Sequence, residues 1–314
     1  MFVRPIRAVA SAVLFSLCIG GAVLAANQVF TVSSLSIDRD FAELQTAIQA
    51  AQEGDVLIVK GGPYLPATID GKSLTIVCEP IFSSFHDFPK LVVKNLSAAQ
   101  HVVVRGRFEI HHSVTTAIEV RDCAGPVEIE DVTIDTTINE LGPTVWPQVL
   151  VVNSASVTLA RCSVHGKDGR TDFAPDGEPS PALRVENSNV AAYGCWLTGG
   201  GGMNAGVPPF LTQVFPSQAG AACIELASGT LLVAGSTVIG GRGGWGYFDG
   251  ANCFASGDGG AGIVVGGLLR VLGSNVVAGL ATRRSRRATA TLRCRRGSPR
   301  CRDGSRTSRA GSTR

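Results

Sequence analysis

Apolar and polar residues alternate in short runs that recur along the chain at intervals of roughly 30 to 41 residues. Each copy contains two such runs, separated by a segment with Ser, Cys or Asn, and four of the five copies end at Gly. Alternation with a period of two predicts half-buried β-strands. The five copies read AIEVRDCAGPVEIEDVTID, VLVVNSASVTLARCSVHG, ALRVENSNVAAYGCWLTGG, CIELASGTLLVAGSTVIGG and GIVVGGLLRVLGSNVVAG.

The copies align in two columns of apolar residues that we expect to point inward. The first column is Ile118, Leu150, Leu183, Ile224 and Ile263, and the second is Val127, Val157, Val190, Leu231 and Leu269. A fixed period of short strands predicts a solenoid, because one repeat alone cannot bury its apolar face. The 38 glycines and the 6% aromatic content suit a stack of short strands and tight turns.

A helical pattern precedes the repeats. Asp40 and Glu43 have the spacing of a capping box, with Asp40 as the N-cap residue. A period typical of a helix follows at Phe41, Leu44, Ile48 and Ala51, and a strand is predicted from Val56. We therefore expect a short amphipathic helix that covers the first strands of the stack.

The stretch FAELQTAIQAAQEGDVLIVKGGPYLPATIDGKSLTIV resembles the N-terminal region of the pectin-lyase-like superfamily. Asp55, Tyr64, Lys72 and Leu74 carry the similarity. The resemblance implies an all-β fold, a single-stranded right-handed parallel β-helix with a short N-terminal capping α-helix. It implies no particular activity, because that superfamily contains lyases, hydrolases, epimerases and adhesins.

The chain divides into three segments. Residues 1–25 read as a secretory signal peptide, with Arg4 and Arg7 before an apolar run that ends at Leu24. An uncleaved membrane anchor is the alternative, since the run approaches the length of a membrane span. Cleavage of the signal peptide would give a secreted, periplasmic or cell-surface protein with no stable membrane span. Residues 26–280 form the predicted β-helix domain.

The segment 281–314 has a different composition. It holds 12 of the 28 basic residues and a single acidic one, Asp303. Two interpretations stay open, a disordered basic tail and an artefact of a shifted reading frame. Residues 27–280 contain 14 basic and 24 acidic residues, so their formal charge is near −10. This acidic balance argues against nucleic acid as a partner of the folded domain.

The cysteine pattern does not suggest zinc, because no CxxC or Cys/His spacing occurs. Cys162 and Cys195 share a column with Ser236 and Ser274, which predicts small, inward-facing residues. Disulfides Cys162–Cys195 and Cys223–Cys253 remain alternatives in an exported protein.

Three insertions follow the second strand of successive repeats, at residues 165–181, 199–220 and 240–262, here called the first, second and third loops. Insertions at one phase of a repeat lie on one side of a solenoid. We therefore expect the three loops to cluster and to carry the function.

The loops contain two sets of candidate residues. In the first loop, Lys167 or Arg170 could act as the base of a lyase, and a carboxylate set could bind Ca²⁺. That set is Asp168, Asp172, Asp176 and Glu178. In the third loop, Trp245, Tyr247 and Phe248 could stack on sugar rings, or they could fold back over the stack. A solvated charged loop is the alternative to the metal site.

Hydrolase chemistry on this fold would need paired carboxylates. Asp131 and Asp135 are the nearest pair, in an ordinary strand-to-turn segment. The leading interpretation is an exported protein that binds a polysaccharide or another cell-surface ligand through the loops, without catalysis. The alternatives are a carbohydrate-active enzyme, a Ca²⁺-dependent polysaccharide lyase before a glycoside hydrolase, and a purely structural repeat.

Overall fold

The computed structural model describes residues 27–79, 86–87, 90–110, 115–134, 146–169, 177–205, 216–248 and 253–281. The predicted signal peptide and the basic segment from 282 onward lie outside these ranges. The described chain is all-β with one helix, α1 (Leu44–Ala50). Within it, no helix has the length and apolar character that a membrane span requires.

The strands are short. In chain order they are β1 (Val29–Val32), β2 (Val56–Val59), β3 (Gly62–Pro63), β4 (Ala67–Asp70), β5 (Leu74–Cys78), β6 (His86–Asp87), β7 (Leu91–Lys94), β8 (Val102–Ile110), β9 (Ile118–Arg121), β10 (Val127–Ile134), β11 (Val149–Val152), β12 (Val157–Ala160), β13 (Ser163–His165), β14 (Leu183–Glu186), β15 (Ser188–Tyr193), β16 (Trp196–Thr198), β17 (Ile224–Leu226), β18 (Gly229–Ala234), β19 (Thr237–Ile239), β20 (Tyr247–Phe248), β21 (Cys253–Phe254), β22 (Ile263–Val265), β23 (Leu268–Leu272) and β24 (Asn275–Val277).

Two long parallel sheets dominate the structure. A seven-stranded sheet has the order β22-β17-β14-β11-β9-β7-β4. A 13-stranded sheet has the order β1-β2-β5-β8-β10-β12-β15-β18-β23, and β13, β16, β19 and β24 extend from β10 as a further run. Each repeat thus adds one strand to each run, directly beside the strand of the repeat before. This arrangement is compatible with a parallel β-helix.

The strand register confirms one predicted column and corrects the other. Val127, Val157, Val190, Leu231 and Leu269 pair in sequence, as predicted. In the first column Ile118 pairs with Val149, and Val149 pairs with Leu183, so the assignment of Leu150 was wrong by one residue. Val149 is buried, whereas Leu150 is half-buried beside Glu119 and Arg184. The run VLVV lacks alternation and therefore did not distinguish the two faces.

The turns between the runs use a left-handed residue followed by a small polar one. At the first turn, Asp122, Asn153 and Asn187 have φ values of 54°, 48° and 45°, and their side chains form a ladder in which Asn153 Nδ2 donates to Asp122 and Asn187 Nδ2 donates to Asn153, each at 3.0 Å. Asn and Asp tolerate this backbone conformation better than other residues with a Cβ. The next residue, Ser154 or Ser188, donates its hydroxyl to the carbonyl two positions back.

The second turn repeats this device with thiols and hydroxyls. Cys162, Cys195, Ser236 and Ser274 each lie 3.0–3.5 Å from the carbonyl two residues earlier and from a carbonyl of the preceding repeat. This explains why Ser and Cys exchange within the column. Cys162, Cys195 and Cys223 are buried free thiols, so the structure contains neither of the two disulfides considered.

The N-terminal segment joins α1 to the first strands. The buried carboxylate of Asp55 accepts from the Gln28 and Gln52 amides at 2.7 Å. Lys72 Nζ donates to the Ile48 and Ala51 carbonyls at the C-terminal end of α1, at 2.9 and 2.5 Å. These contacts give a physical role to two of the residues that carry the family resemblance.

The predicted capping box is wrong. Helix α1 has Glu43 as its N-cap residue, without a side-chain capping bond, and Asp40 instead accepts from the Thr31 amide at 2.7 Å. The helix packs against β1, β2 and β4, near the start of both large sheets.

The inward columns become exposed in the last described repeat. Val238 is fully buried, whereas its partner Val276 is 40% exposed. Val233 and its partner Val271 show the same contrast, 0% against 41%. Burial of each repeat therefore depends on the next repeat along the stack.

The corrected register can be tested with a pair of adjacent substitutions. We expect Val149→Ala to lower the free energy of unfolding by about 2 kcal/mol, since it removes two buried methyl groups and leaves a cavity. Leu150→Ala should cost less than about 1 kcal/mol because that side chain is half-exposed. Chemical denaturation of both variants measures the difference. A larger loss for Leu150→Ala would contradict the observed register.

Candidate functional site: a groove between three loops

The described bases of the three loops lie side by side, and their first residues continue the stacking of the strands. His165, Thr198 and Ile239 occupy one register column at the ends of β13, β16 and β19. The next amides extend the same ladder, since Gly166 donates to Thr198 and Gly199 donates to Ile239, each at 2.8 Å. The loop bases are therefore as regular as the strands that lead into them.

A second set of backbone hydrogen bonds links the outgoing and returning segments of the loops. The outgoing residues are Lys167, Gly200, Gly241 and Gly279, and the returning residues are Ser180, Ala221 and Gly260. Each amide donates to the carbonyl of the residue before it in the order Lys167, Ser180, Gly200, Ala221, Gly241, Gly260 and Gly279, at distances of 2.7–3.0 Å. We call this arrangement the glycine ladder.

The glycine ladder explains the Gly-Gly pairs in the sequence. A Cβ on Gly200 would overlap the Lys167 carbonyl oxygen, and one on Gly241 would overlap that of Gly200. Both positions therefore require a residue without a side chain. Gly201 differs, because a Cβ there would lie 3.1 Å from Asp168 Oδ1 and 3.7 Å from the nearest backbone atom, the carbonyl oxygen of Arg242. Its missing side chain leaves space on the surface of the ladder.

A groove of about 640 Å³ lies over this surface, between the loop bases. All three loops contribute to its walls. The lining side chains that carry polar or aromatic groups are His165, Asp168, Thr198, Asn204, Arg242 and Trp245. The groove thus combines hydrogen-bonding groups with one exposed indole, Trp245, which is 52% exposed.

On one wall, His165 connects a hydroxyl to a carboxylate. Its Nδ1 lies 2.6 Å from Thr198 Oγ1, and its Nε2 lies 3.4 Å from Asp168 Oδ1. The Gly201 amide donates to the same Asp168 oxygen at 2.5 Å. Desolvation raises the pKa of Asp168, but the bonds from His165 and Gly201 outweigh it and leave that pKa below the ordinary value. Because this side chain is 57% exposed, we expect the hydrogen bonds to dominate.

The third loop adds a cation and an aromatic ring to the groove lining. Arg242 is exposed and forms no ion pair within 4 Å with a described residue, although its charge contributes to the lowered pKa of Asp168. The Trp245 amide donates to Asn204 Oδ1 at 2.7 Å, which holds these two residues in adjacent loops together. The Asn204 amide nitrogen is then left as a donor.

The structure places only part of the predicted metal set in the groove. Asp168 lines it, Glu178 is exposed and does not line it, and Asp172 and Asp176 lie outside the described residues. No group of three or more His, Cys, Asp or Glu in the described chain could hold a metal ion. The carboxylate that does line the groove is engaged by an imidazole and an amide.

The structure does not bring Lys167, one of the two predicted lyase bases, into the groove. Lys167 is half-buried, and its amide donates to Ser180 Oγ at 2.9 Å, next to the glycine ladder. It is not among the lining residues. Arg170 lies outside the described residues.

Of the three aromatic candidates in the third loop, the structure describes the side chain of one. Trp245 is exposed in the groove. The backbones of Tyr247 and Phe248 form β20, which pairs with β21 in an antiparallel hairpin, and their side chains lie outside the described part. Trp245 therefore lines the groove, and the role of all three residues as ligand contacts stays a prediction.

Asp131 lies at the second turn and not in the groove. It has φ 57°, and Arg161 forms a bidentate ion pair with it, Nε to Oδ1 at 2.8 Å and the second guanidinium nitrogen to Oδ2 at 2.9 Å. The hydrogen bond from Arg161 lowers the pKa of this carboxyl. Its proposed partner Asp135 lies outside the described residues.

Sequence reasoning missed His165, Thr198 and Arg242. His165 and Thr198 end strands at the same phase, a signal that the alignment of repeats contained. Arg242 follows a Gly-Gly pair, as Asp168 follows Gly166-Lys167 at the same loop position. In the sequence we treated these positions only as parts of loops, although the backbone hydrogen bonding of the strands continues through them.

Comparison with known proteins adds no identification: no protein-family model, no curated protein and no solved structure matches the chain. The interpretation of the groove therefore depends on its own residues.

The structural role of Asp131 is open to test by a pH series. We expect Asp131→Asn, which tolerates the left-handed backbone, to lower Tm by no more than about 2 °C at neutral pH, since exposed ion pairs contribute little. The folded-state pKa of Asp131 is depressed, so its contribution is present above the unfolded pKa and is lost as pH falls through the folded one.

The difference in Tm between wild type and Asp131→Asn should accordingly vanish in acid. Glu128→Gln serves as the matched control, because Glu128 is exposed and forms no ion pair within the described chain. A Tm difference for Asp131→Asn that stays constant down to the lowest pH would contradict this role.

Proposed function

We propose that this protein is a secreted or cell-surface, right-handed parallel β-helix, related to the pectin-lyase-like superfamily, that binds a polysaccharide in the loop groove. Two long parallel sheets and a single short helix support the fold. Parallel strands joined by crossover connections are right-handed in almost all proteins, which supports the handedness. The apolar N-terminal run with Arg4 and Arg7 supports export.

The observation that carries the binding proposal is the convergence of three insertions on a single groove with an exposed indole. Ligand sites are typically concave and combine aromatic side chains with a few well-placed polar groups, and the groove has both. Trp245 presents an apolar face, and a sugar ring offers a matching face of C–H groups. Its amide is fixed by Asn204, so the ring is attached to an ordered backbone.

The polar groups of the groove suit a ligand with many hydroxyl groups. Asp168 supplies carboxylate acceptors, whereas Arg242 and the Asn204 amide supply donors. The groups come from successive repeats, which parallel strands hold about 4.8 Å apart. An extended polymer that lies along the stack would meet them in turn. Short ligands would meet only some of them, so affinity should rise with chain length.

A Ca²⁺-dependent lyase remains a weaker proposal. It would require Lys167 or Arg170 beside a bound metal, and Lys167 does not line the groove. Binding without lyase chemistry needs only groups that the groove contains.

Two substitutions should reduce binding without unfolding the protein. We expect Trp245→Ala to weaken binding by about tenfold through loss of stacking area. Gly201→Leu should block the groove, since its backbone accepts a side chain and only Asp168 lies close to the added Cβ. Affinity electrophoresis against xylan, β-glucan, galactomannan and chitin oligosaccharides, with Tm measured in parallel, tests both.

Trp196→Ala provides a matched control. Trp196 is 54% exposed, nearly the same as Trp245, but it lies in β16 outside the groove lining. Its removal should leave retention unchanged. Retention by a polysaccharide that survives both Trp245→Ala and Gly201→Leu would refute binding in this groove.

A further inference from the structure

His165 lies between a hydroxyl and a carboxylate, which is the sequence of hydrogen-bonded groups found in an acyl-transfer triad. Asp168 Oδ1 accepts from the Gly201 amide at 2.5 Å, and the pKa of this carboxyl lies below the ordinary value, which favours the ionised form whose oxygens only accept. A neutral His165 imidazole then donates from Nε2, across 3.4 Å, and its Nδ1 is an acceptor. The partner of Nδ1 is the Thr198 hydroxyl at 2.6 Å, which must donate. The hydroxyl therefore donates to the imidazole, and the imidazole donates to the carboxylate.

We propose that Thr198, His165 and Asp168 form a catalytic triad that hydrolyses carboxylic esters, with the acyl groups of an O-acylated polysaccharide as substrate class. The substrate class depends on the proposed function, whereas the triad depends only on the contacts of His165. A nucleophile, a base and a group that orients the base are the parts that acyl transfer requires.

The position of these groups favours access by a pendant ester. Thr198 and His165 occupy one register column at strand ends, so the parallel pairing of β13 and β16 fixes their separation. Both line the groove, and Thr198 is half-buried rather than enclosed. A polymer lying along the groove would bring its acyl substituents over this column.

The first half-reaction forms an acyl-threonine. Thr198 Oγ1 attacks the ester carbonyl carbon, and its proton passes to His165 Nδ1. The carbon–oxygen bond to the sugar then breaks, and the leaving alkoxide takes the proton from Nδ1. Arg242 and the Asn204 amide are the groove donors that can stabilise the oxyanion.

The second half-reaction restores the hydroxyl. Water attacks the acyl-threonine and gives a proton to Nδ1. The bond to Oγ1 breaks, Oγ1 recovers that proton, and the free carboxylic acid departs. In both half-reactions Asp168 acts as a positioning residue through Oδ1, which contacts His165 and accepts from the Gly201 amide, whereas its second oxygen can accept from ligand hydroxyls.

The test measures hydrolysis of p-nitrophenyl acetate and acetate release from an O-acetylated xylan by the full-length chain. We expect Thr198→Val and His165→Ala to reduce kcat/KM by about 100-fold or more, since a positioned base contributes at least that factor. Thr198→Ser should retain activity and should accumulate an acyl-enzyme, visible by mass spectrometry after quenching. Thr158→Val, on the half-buried outer side of β12, is the matched control and should leave the rate unchanged.

Asp168→Asn distinguishes positioning from a structural role. It should lower kcat on p-nitrophenyl acetate while KM and Tm stay near the wild-type values. A wild-type rate no faster than that of Thr198→Val would overturn the triad, as would full activity in His165→Ala. Binding of deacetylated xylan reports on the proposed function separately. Binding without ester hydrolysis refutes only the triad, and ester hydrolysis without binding refutes only the polysaccharide ligand.

Discussion

The parallel hydrogen bonding between neighbouring repeats is the constraint on which the rest of the structure depends. It fixes each strand beside its counterpart in the preceding repeat. Residues at the same position of successive repeats therefore form a column and have similar surroundings. An inward column must be apolar along its whole length, and a turn column must accept a left-handed backbone in every copy. The same hydrogen bonding continues into the loop bases and places side chains from separate loops in one register column.

Much of the fold was predictable because a repeat shows each constraint several times. The column from Val127 to Leu269 was recovered from the sequence, since alternation in most copies defined its phase. Leu150 was misassigned where four consecutive apolar residues removed that information. The helix boundary was misplaced because the carboxylate of Asp40 bonds to Thr31, a contact between segments that spacing alone does not encode.

The site was only partly predictable. The phase of the three insertions located the groove, and Trp245 was recognised as an exposed aromatic candidate. The contacts among His165, Thr198 and Asp168 were not foreseen, because they join one loop base to the next repeat. The sequence analysis assigned no particular role to the glycines of the loops. Several of them occupy positions where two backbones approach too closely for any side chain.

The glycine ladder reduces the conformational entropy that the loops would lose on binding the proposed ligand. Glycine-rich loops normally lose much conformational entropy when a ligand orders them, and that loss weakens binding. Here the bases of all three loops are already held by backbone bonds on both sides, so the ordering has been completed during folding. Affinity for the proposed ligand would therefore be linked to the stability of the stack, and a substitution deep between repeats would weaken the proposed binding without touching the groove.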